Sequence, residues 1–230
     1  MSDHSSAWQL VLDGDPVLFA IVRLSLAVSL SAVVLAALIG MPLGAALALS
    51  HFPLRSAVVV VFNALMGLPP VVVGLAVYLL LSRSGPLGGF GILFTPSAMV
   101  IAQTILIVPI IAALTRQTVE DLWVEYRDEL TAMGVGPAAR IMTLLWDARF
   151  SLLTALLAGF GRASAEVGAV MIVGGNIDGF TRTMTTAVAL ETSKGNLPLA
   201  MGLGLVLVAI VLAINAAAWG TRAWSERQAA

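Results

Sequence analysis

What most constrains this chain is its succession of five long apolar stretches, at roughly 19–49, 57–81, 96–115, 150–173 and 197–219. A bilayer hydrocarbon core about 30 Å thick takes around 20 apolar residues in helical form. Inside it every backbone N–H and C=O must be satisfied within the segment, and for stretches of this length that means helix. The expectation is an all-α membrane protein of about five transmembrane helices, forming one domain over 1–230. Composition agrees: 59% of residues are apolar and 11% charged, against about 45–50% and about 25% in ordinary soluble domains. A mean hydropathy of +0.99 leaves too little polar surface for water to be the only solvent. Disorder, collagen and coiled coil fall with the same numbers.

Charge is informative only through its placement, because the net charge is −1 and no global field recruits nucleic acid. The chain has no cysteine, which removes thiolate metal sites and cysteine nucleophiles. Asp3, His4, Asp13 and Asp15 precede the first apolar stretch with no Lys or Arg among them, so 1–15 reads as a retained tail and not a secretory signal. With the N-terminus outside, seven basic residues fall on the inside (Arg55, Arg116, Arg127, Arg140, Arg149, Arg222, Arg227) and three outside (Arg83, Arg182, Lys194). The positive-inside rule then predicts N-out and C-in. The first stretch is longer than a perpendicular span, so it tilts, kinks near Pro42, or projects with Arg23 reaching the interface. Pro69-Pro70 and Pro109 fall within spans, where they predict either kinks around a cavity or ordinary packing kinks.

One polar segment interrupts the apolar pattern. Residues 116–149 carry ten charges: Arg116, Arg127, Arg140, Arg149, Glu120, Asp121, Glu125, Asp128, Glu129 and Asp147. Leu122, Tyr126, Leu130 and Met133 recur at helical spacing, Gly134-x-Gly136-Pro137 breaks the period, and Ile141, Leu144 and Leu145 resume it. Helix, turn, helix on the cytoplasmic surface is the prediction. It serves either as an amphipathic hairpin on the headgroups or as a docking element for a soluble partner.

The last third holds two further features. Arg162 and Glu166 stand four residues apart in the fourth stretch and predict an intramembrane ion pair facing protein or water, as a packing device or at a gate. Gly159, Ala163, Ala165, Gly168 and Ala169 make a small-residue surface for close helix approach. The segment 174–186 predicts an outside loop followed by a short helix near 183–192. Asn176, Thr181, Arg182 and Thr183 there are candidate contacts along an anion path, or parts of a plain surface loop.

Two motifs carry a resemblance. Asp128-Glu129-Leu130-x-x-x-Gly134, with an aliphatic stretch about nine residues on, resembles the EAA loop of ABC importer permeases; Asp128 stands at the family glutamate, Glu129 and Leu130 at its alanines, and Asp147 at its later proline. The string GRASAEVGAVMIVGGNI with the following TRTM, together with Leu68-Pro69-Pro70-Val71-Val72-x-Gly74 and Ser84-Gly85-Pro86-Leu87-Gly88, is similar to molybdate and tungstate permeases. From about Asn63 onward the chain is thereby identified as a member of the permeases of type I oxyanion ABC importers, more like the tungstate type.

The resemblance implies the type I permease fold in the inner membrane of a prokaryote. It also implies a homodimeric pore, a separate ABC ATPase dimer and an extracytoplasmic binding protein. The coupling helix would fall near Leu130–Met142, with Asp128, Glu129, Leu130, Gly134, Gly136 and Pro137 toward the ATPase. Pro69, Pro70, Arg162, Glu166 and Gly168 would shape the pore or gate, or its packing. Tungstate is the implied substrate, with molybdate or sulfate as alternatives.

Functions of other classes have less to stand on. An intramembrane enzyme would have to use Glu166, Asp178 or His51, and the two histidines, His4 and His51, lack the helix-spaced partners a metal centre needs. A passive channel would leave the ten-charge segment without a role. No G-x-x-x-x-G-K-[ST] loop occurs, so no catalytic residue and no cofactor are expected in this chain.

Overall fold

The structure, a computed structural model, describes residues 16–229; the acidic tail 1–15 lies outside the described residues. Among the described residues nine α-helices follow in order: α1 Pro16–Leu49, α2 Arg55–Leu65, α3 Pro70–Leu81, α4 Pro96–Ala132, α5 Pro137–Asp147, α6 Arg149–Ser164, α7 Gly168–Gly174, α8 Met184–Ser193 and α9 Leu197–Ala229. A single 3₁₀ turn, Gly88–Phe90, lies between α3 and α4, and no strand occurs among the described residues. Among the described residues three helices are long and apolar enough to cross a membrane alone: α1, α4, and α9 over Leu197–Ala218. Two broken pairs, α2 with α3, and α5 with α6 bent by 78°, raise the number to as many as five.

Prolines act differently according to their number. α1 runs unbroken through Pro42 and α4 through Pro109, since a lone proline forfeits one helical hydrogen bond that neighbouring groups can replace. At Pro69-Pro70 the expected kinked span is instead a broken one. Two successive prolines remove two N–H donors, and each drives the residue before it out of the α region. Pro69 is accordingly extended (φ −64°, ψ 121°), and Pro70 opens α3 in the first-turn position, where its missing N–H costs nothing.

Two further boundaries differ from expectation. The third stretch does not end near 115, because α4 continues to Ala132; nothing between Pro109 and Gly134 breaks the helical phase, so the first arm of the polar segment is the end of α4. The fourth stretch, expected as one helix over 150–173, is interrupted at 165–167 between α6 and α7. Arg162 and Glu166 therefore share no helix, although they do pair.

The described residues divide into two compact units, one of 16–32, 69–103 and 161–229, the other of 33–68 and 104–160. In the first, α3 packs on α7 so closely that a Cβ at Gly74 would lie 2.7 Å from Ala169 Cα. Ala169, Val170, Val173 and Met99 are buried there, and Leu18, Ala187 and Leu203 form a smaller cluster joining α1, α8 and α9. In the second, Ala45, Ala48, Val119, Leu130 and Leu144 make one core. Beside it Glu120 pairs with both Arg55 and Arg116, while Arg55 Nε donates to the Leu47 carbonyl at the end of α1 at 2.9 Å. The apolar part of α9 buries only 17% of its residues and turns Leu205, Val208 and Leu212 outward, a surface that lipid or another apolar chain must cover.

Candidate functional site

Two places carry chemistry: a surface corner in the second unit and a helix break in the first. The corner begins where α4 stops. Gly134 adopts φ +64°, its N–H donates to Thr131 O at 3.0 Å, and the Val135 N–H reaches back to Leu130 O at 3.1 Å. These are the two hydrogen bonds of a Schellman cap, completed by the packing of Val135 near Leu130. Gly136 is extended and Pro137 starts α5. Arg140 locks the turn, with Nε donating to Val135 O at 2.7 Å and its guanidinium 5.4 Å from the centre of the Trp123 ring.

Of the expected ATPase-facing residues, Asp128, Glu129, Gly134, Gly136 and Pro137 are exposed, whereas Leu130 is buried in the core. Leu130 thus anchors the corner from within. The expected helix over 130–142 is two helices with this turn between them; Pro137–Asp147 is the separate short helix. The outward face also includes Met133, Met142 and Trp146, each about two-thirds exposed (66%, 69% and 68%). Periodicity alone did not mark these three as surface, although Met142 and Trp146 are four apart and opposed to the buried Leu144, the pattern of a helix with two apolar faces.

The break lies between α6 and α7. Helices that stop inside an apolar environment leave carbonyls and N–H groups that need partners. Here Ala163 O accepts from the Glu166 N–H at 3.2 Å and from Gln103 Nε2 at 3.1 Å. Glu166 is 3% exposed; its Oε1 accepts the Ala169 N–H at 3.0 Å, and its Oε2 lies 3.3 Å from Arg162 Nη1. Its carbonyl accepts from Thr185 Oγ1 at 2.8 Å. Glu166 therefore caps α7 and pairs with Arg162 at once. Gly168 sits one turn of chain away, where a Cβ would meet Val71 Cγ2 at 2.9 Å, and Pro69 and Pro70 begin α3 in the same unit.

The loop after α7 uses most of its polar groups on itself. Thr181 is fully buried, donating Oγ1 to Gly174 O at 2.6 Å and accepting the Ile177 N–H at 2.9 Å. Thr183 is buried and forms the capping box of α8 with Thr186. Asn176 holds the left-handed region at φ +49°, and Arg182 pairs with Asp178 at 2.8 Å. The two threonines thus serve as internal scaffolding of the loop.

At the end of α8 the hydrogen bond from Lys194, aided by Asn196 and opposed by burial, holds the Glu191 carboxyl below its usual value of 4.5. A carboxylate with a lowered folded-state pKa contributes stability above its unfolded value, and this contribution is lost as pH falls through the folded one. Acidification from about pH 5 to about pH 3 is expected to lower the thermal midpoint of the wild type more than that of Glu191→Gln, so that the two converge. A gap independent of pH would refute the assignment.

No family model matches the chain. It is similar to a probable anion ABC transporter permease protein of Haloferax volcanii, 45% identical over 204 residues that cover 86% of this chain and 88% of the relative. The chain belongs to the ABC transporter permease family. A second permease relative, the tungstate uptake system permease protein TupB of Peptoclostridium acidaminophilum, is 41% identical over 211 residues, 92% of each chain. More distant is the molybdenum transport system permease protein ModB of Azotobacter vinelandii, 28% identical over 177 residues, 74% of this chain and 78% of the relative. As an ABC permease, the chain is a membrane component of a transport complex in the cytoplasmic membrane, in keeping with its long apolar helices.

Proposed function

We propose that this permease is the pore-forming subunit of an ATP-driven importer of tungstate-class oxyanions. The observation that carries the reading is the 41% identity to a tungstate uptake permease along 92% of both chains, supported by the exposed Gly134 corner and the charged helix break. Molybdate or sulfate is the alternative substrate of the same class, since a molybdenum permease and a sulfate permease are similar at the lower identities of 28% and 29%.

In this reading two copies of the chain enclose the pore, with about five spans each, the N-terminus outside and the C-terminus inside. A separate ABC ATPase dimer hydrolyses ATP, and an extracytoplasmic protein delivers the anion. The corner formed by Asp128, Glu129, Gly134, Gly136 and Pro137 meets the ATPase, with Leu130 holding it from beneath. A Gly-capped turn rigidly fixed to a long helix suits this task, because motion imposed on the corner passes along α4 as a rigid body. Pro69, Pro70 and Gly168 shape the gate region, while Thr181 and Thr183 hold the outer loop on which Asn176 and Arg182 stand.

Proteoliposomes carrying this chain, its ATPase and its binding protein test the reading. MgATP-dependent accumulation of tungstate, exceeding that of molybdate and sulfate, is the expected result. Anion leakage without ATP, with no ATPase bound to the chain, would make it a passive channel.

A further inference from the structure

Resting on the oxyanion-importer reading, we propose that Arg162 is a transit contact for the anion, and that Glu166 tunes how long the anion stays.

Depth is the first argument. On the span expected over 150–173, Arg162 lies about 20 Å along the axis of α6 from Arg149 at 1.5 Å per residue, within a core of about 30 Å. Exposure is the second. The Arg162 side chain is 30% exposed while its partner Glu166 is 3% exposed, and a guanidinium left open within a span must face water or the second copy across the pore and not hydrocarbon. Unspent donors are the third. A guanidinium offers five N–H donors in a fixed fork, and among the described residues the polar contact of Arg162 is the one long interaction, 3.3 Å from Glu166.

Several other cations are committed elsewhere. Arg55 and Arg116 share Glu120, Arg140 holds the Val135 carbonyl and Lys194 pairs with Glu191; Arg182 pairs with Asp178 through Nη1, while its Nε is buried without a partner. Arg23 lies in the first turns of α1, close enough to the membrane edge for its long side chain to reach the headgroups.

A planar fork matches two oxygens of a tetrahedral oxyanion, and a charged donor meeting a dianion binds it firmly. A conduction site must also let go. Glu166 supplies that balance: its Oε1 is tied to the Ala169 N–H, so the carboxylate stays fixed beside Arg162 and offsets part of its charge whether or not an anion is present.

The experiment uses the reconstituted complex and reads tungstate moved per ATP hydrolysed, half-saturation by loaded binding protein, and thermal midpoint. Arg162→Gln is expected to lower tungstate per ATP about tenfold or more, the effect of losing a charged hydrogen bond. Arg162→Lys, which keeps the charge and loses the fork, is expected to raise half-saturation and restore part of the uptake. Glu166→Gln keeps an oxygen for the Ala169 N–H and is expected to lower half-saturation and maximal rate together, since the anion leaves more slowly. The double variant is expected to be as poor as Arg162→Gln.

A merely structural pair gives the opposite pattern, with the double variant restoring both uptake and midpoint; that result, or wild-type uptake in Arg162→Lys, overturns the proposal. If Arg162→Gln does not assemble, the lysine and Glu166→Gln variants decide the question by the same half-saturation measurements. Failure of the wild-type complex to accumulate any oxyanion with ATP would defeat the importer reading itself, whereas wild-type uptake unaltered in Arg162→Gln defeats only the transit contact.

Discussion

A Gly134→Pro permease is expected to transport at a few per cent of the wild-type rate or less, with its ATPase no longer stimulated by loaded binding protein. Proline fixes φ near −65°, whereas Gly134 sits at +64°, so the chain cannot follow its present course. The substitution also removes the N–H that donates to Thr131 O. The combined cost is about 3 kcal/mol or more, and it falls on the joint that aims α5. Val135 and Leu144 would leave the pocket around Leu130, with the further loss expected when a packed apolar cluster opens.

Gly134→Ala supplies the graded control. A Cβ at this position meets nothing within 4 Å, so only the left-handed strain of about 1–2 kcal/mol remains, and coupling should fall modestly. Parallel measurements of ATPase stimulation and anion uptake check both variants. If Gly134→Pro couples as well as wild type, the corner does not transmit the ATPase motion.

The second large effect is expected at Gly74. A Cβ there would lie 2.7 Å from Ala169 Cα and 3.2 Å from Ala169 O, and these are backbone atoms of α7 that cannot swing aside. Gly74→Val must push α3 off α7, at a cost in the upper part of the roughly 1–3 kcal/mol range for overpacking or beyond it. Uptake should be abolished, because both elements flank the two chain breaks. Gly168→Ala meets a side-chain atom and not backbone, Val71 Cγ2 at 2.9 Å, so a small shift of that β-branched side chain suffices although its rotation is restricted. Its thermal midpoint should stay much closer to wild type. Equal midpoints for Gly74→Val and Gly168→Ala would show that the α3–α7 contact yields more easily than its geometry implies.

Much of the corner was legible in the sequence because its signals are local. A glycine that needs positive φ, a proline at the first turn of a helix and a resumed apolar period all act over a few residues, and Gly134, Pro137 and Leu144 announce them. Even there the direction of Leu130 was not readable: the same period that marks an apolar face does not say whether that face meets a partner or a core already supplied by Ala45, Ala48 and Val119. The spans were harder. In a helix apolar on every side, periodicity carries little information, so the interruption at 165–167 left no mark in the pattern; the period over 122–133 marked a helix but not that it continues the third span.

By itself the sequence determined that the chain is a helical membrane protein with its charge gathered in one segment, and through its motifs it determined the family. These follow from transfer free energies and turn stereochemistry, which depend on residue type and near neighbours. Tertiary structure alone decided that the fourth span breaks at 165–167 and which polar groups serve that break. Gln103 reaches Ala163 O from sixty residues away, Thr185 reaches Glu166 O from nineteen, and Glu166 turns back to cap α7. A helix can end inside an apolar environment only where such distant groups satisfy its orphaned backbone, and which groups arrive there is settled by the fold.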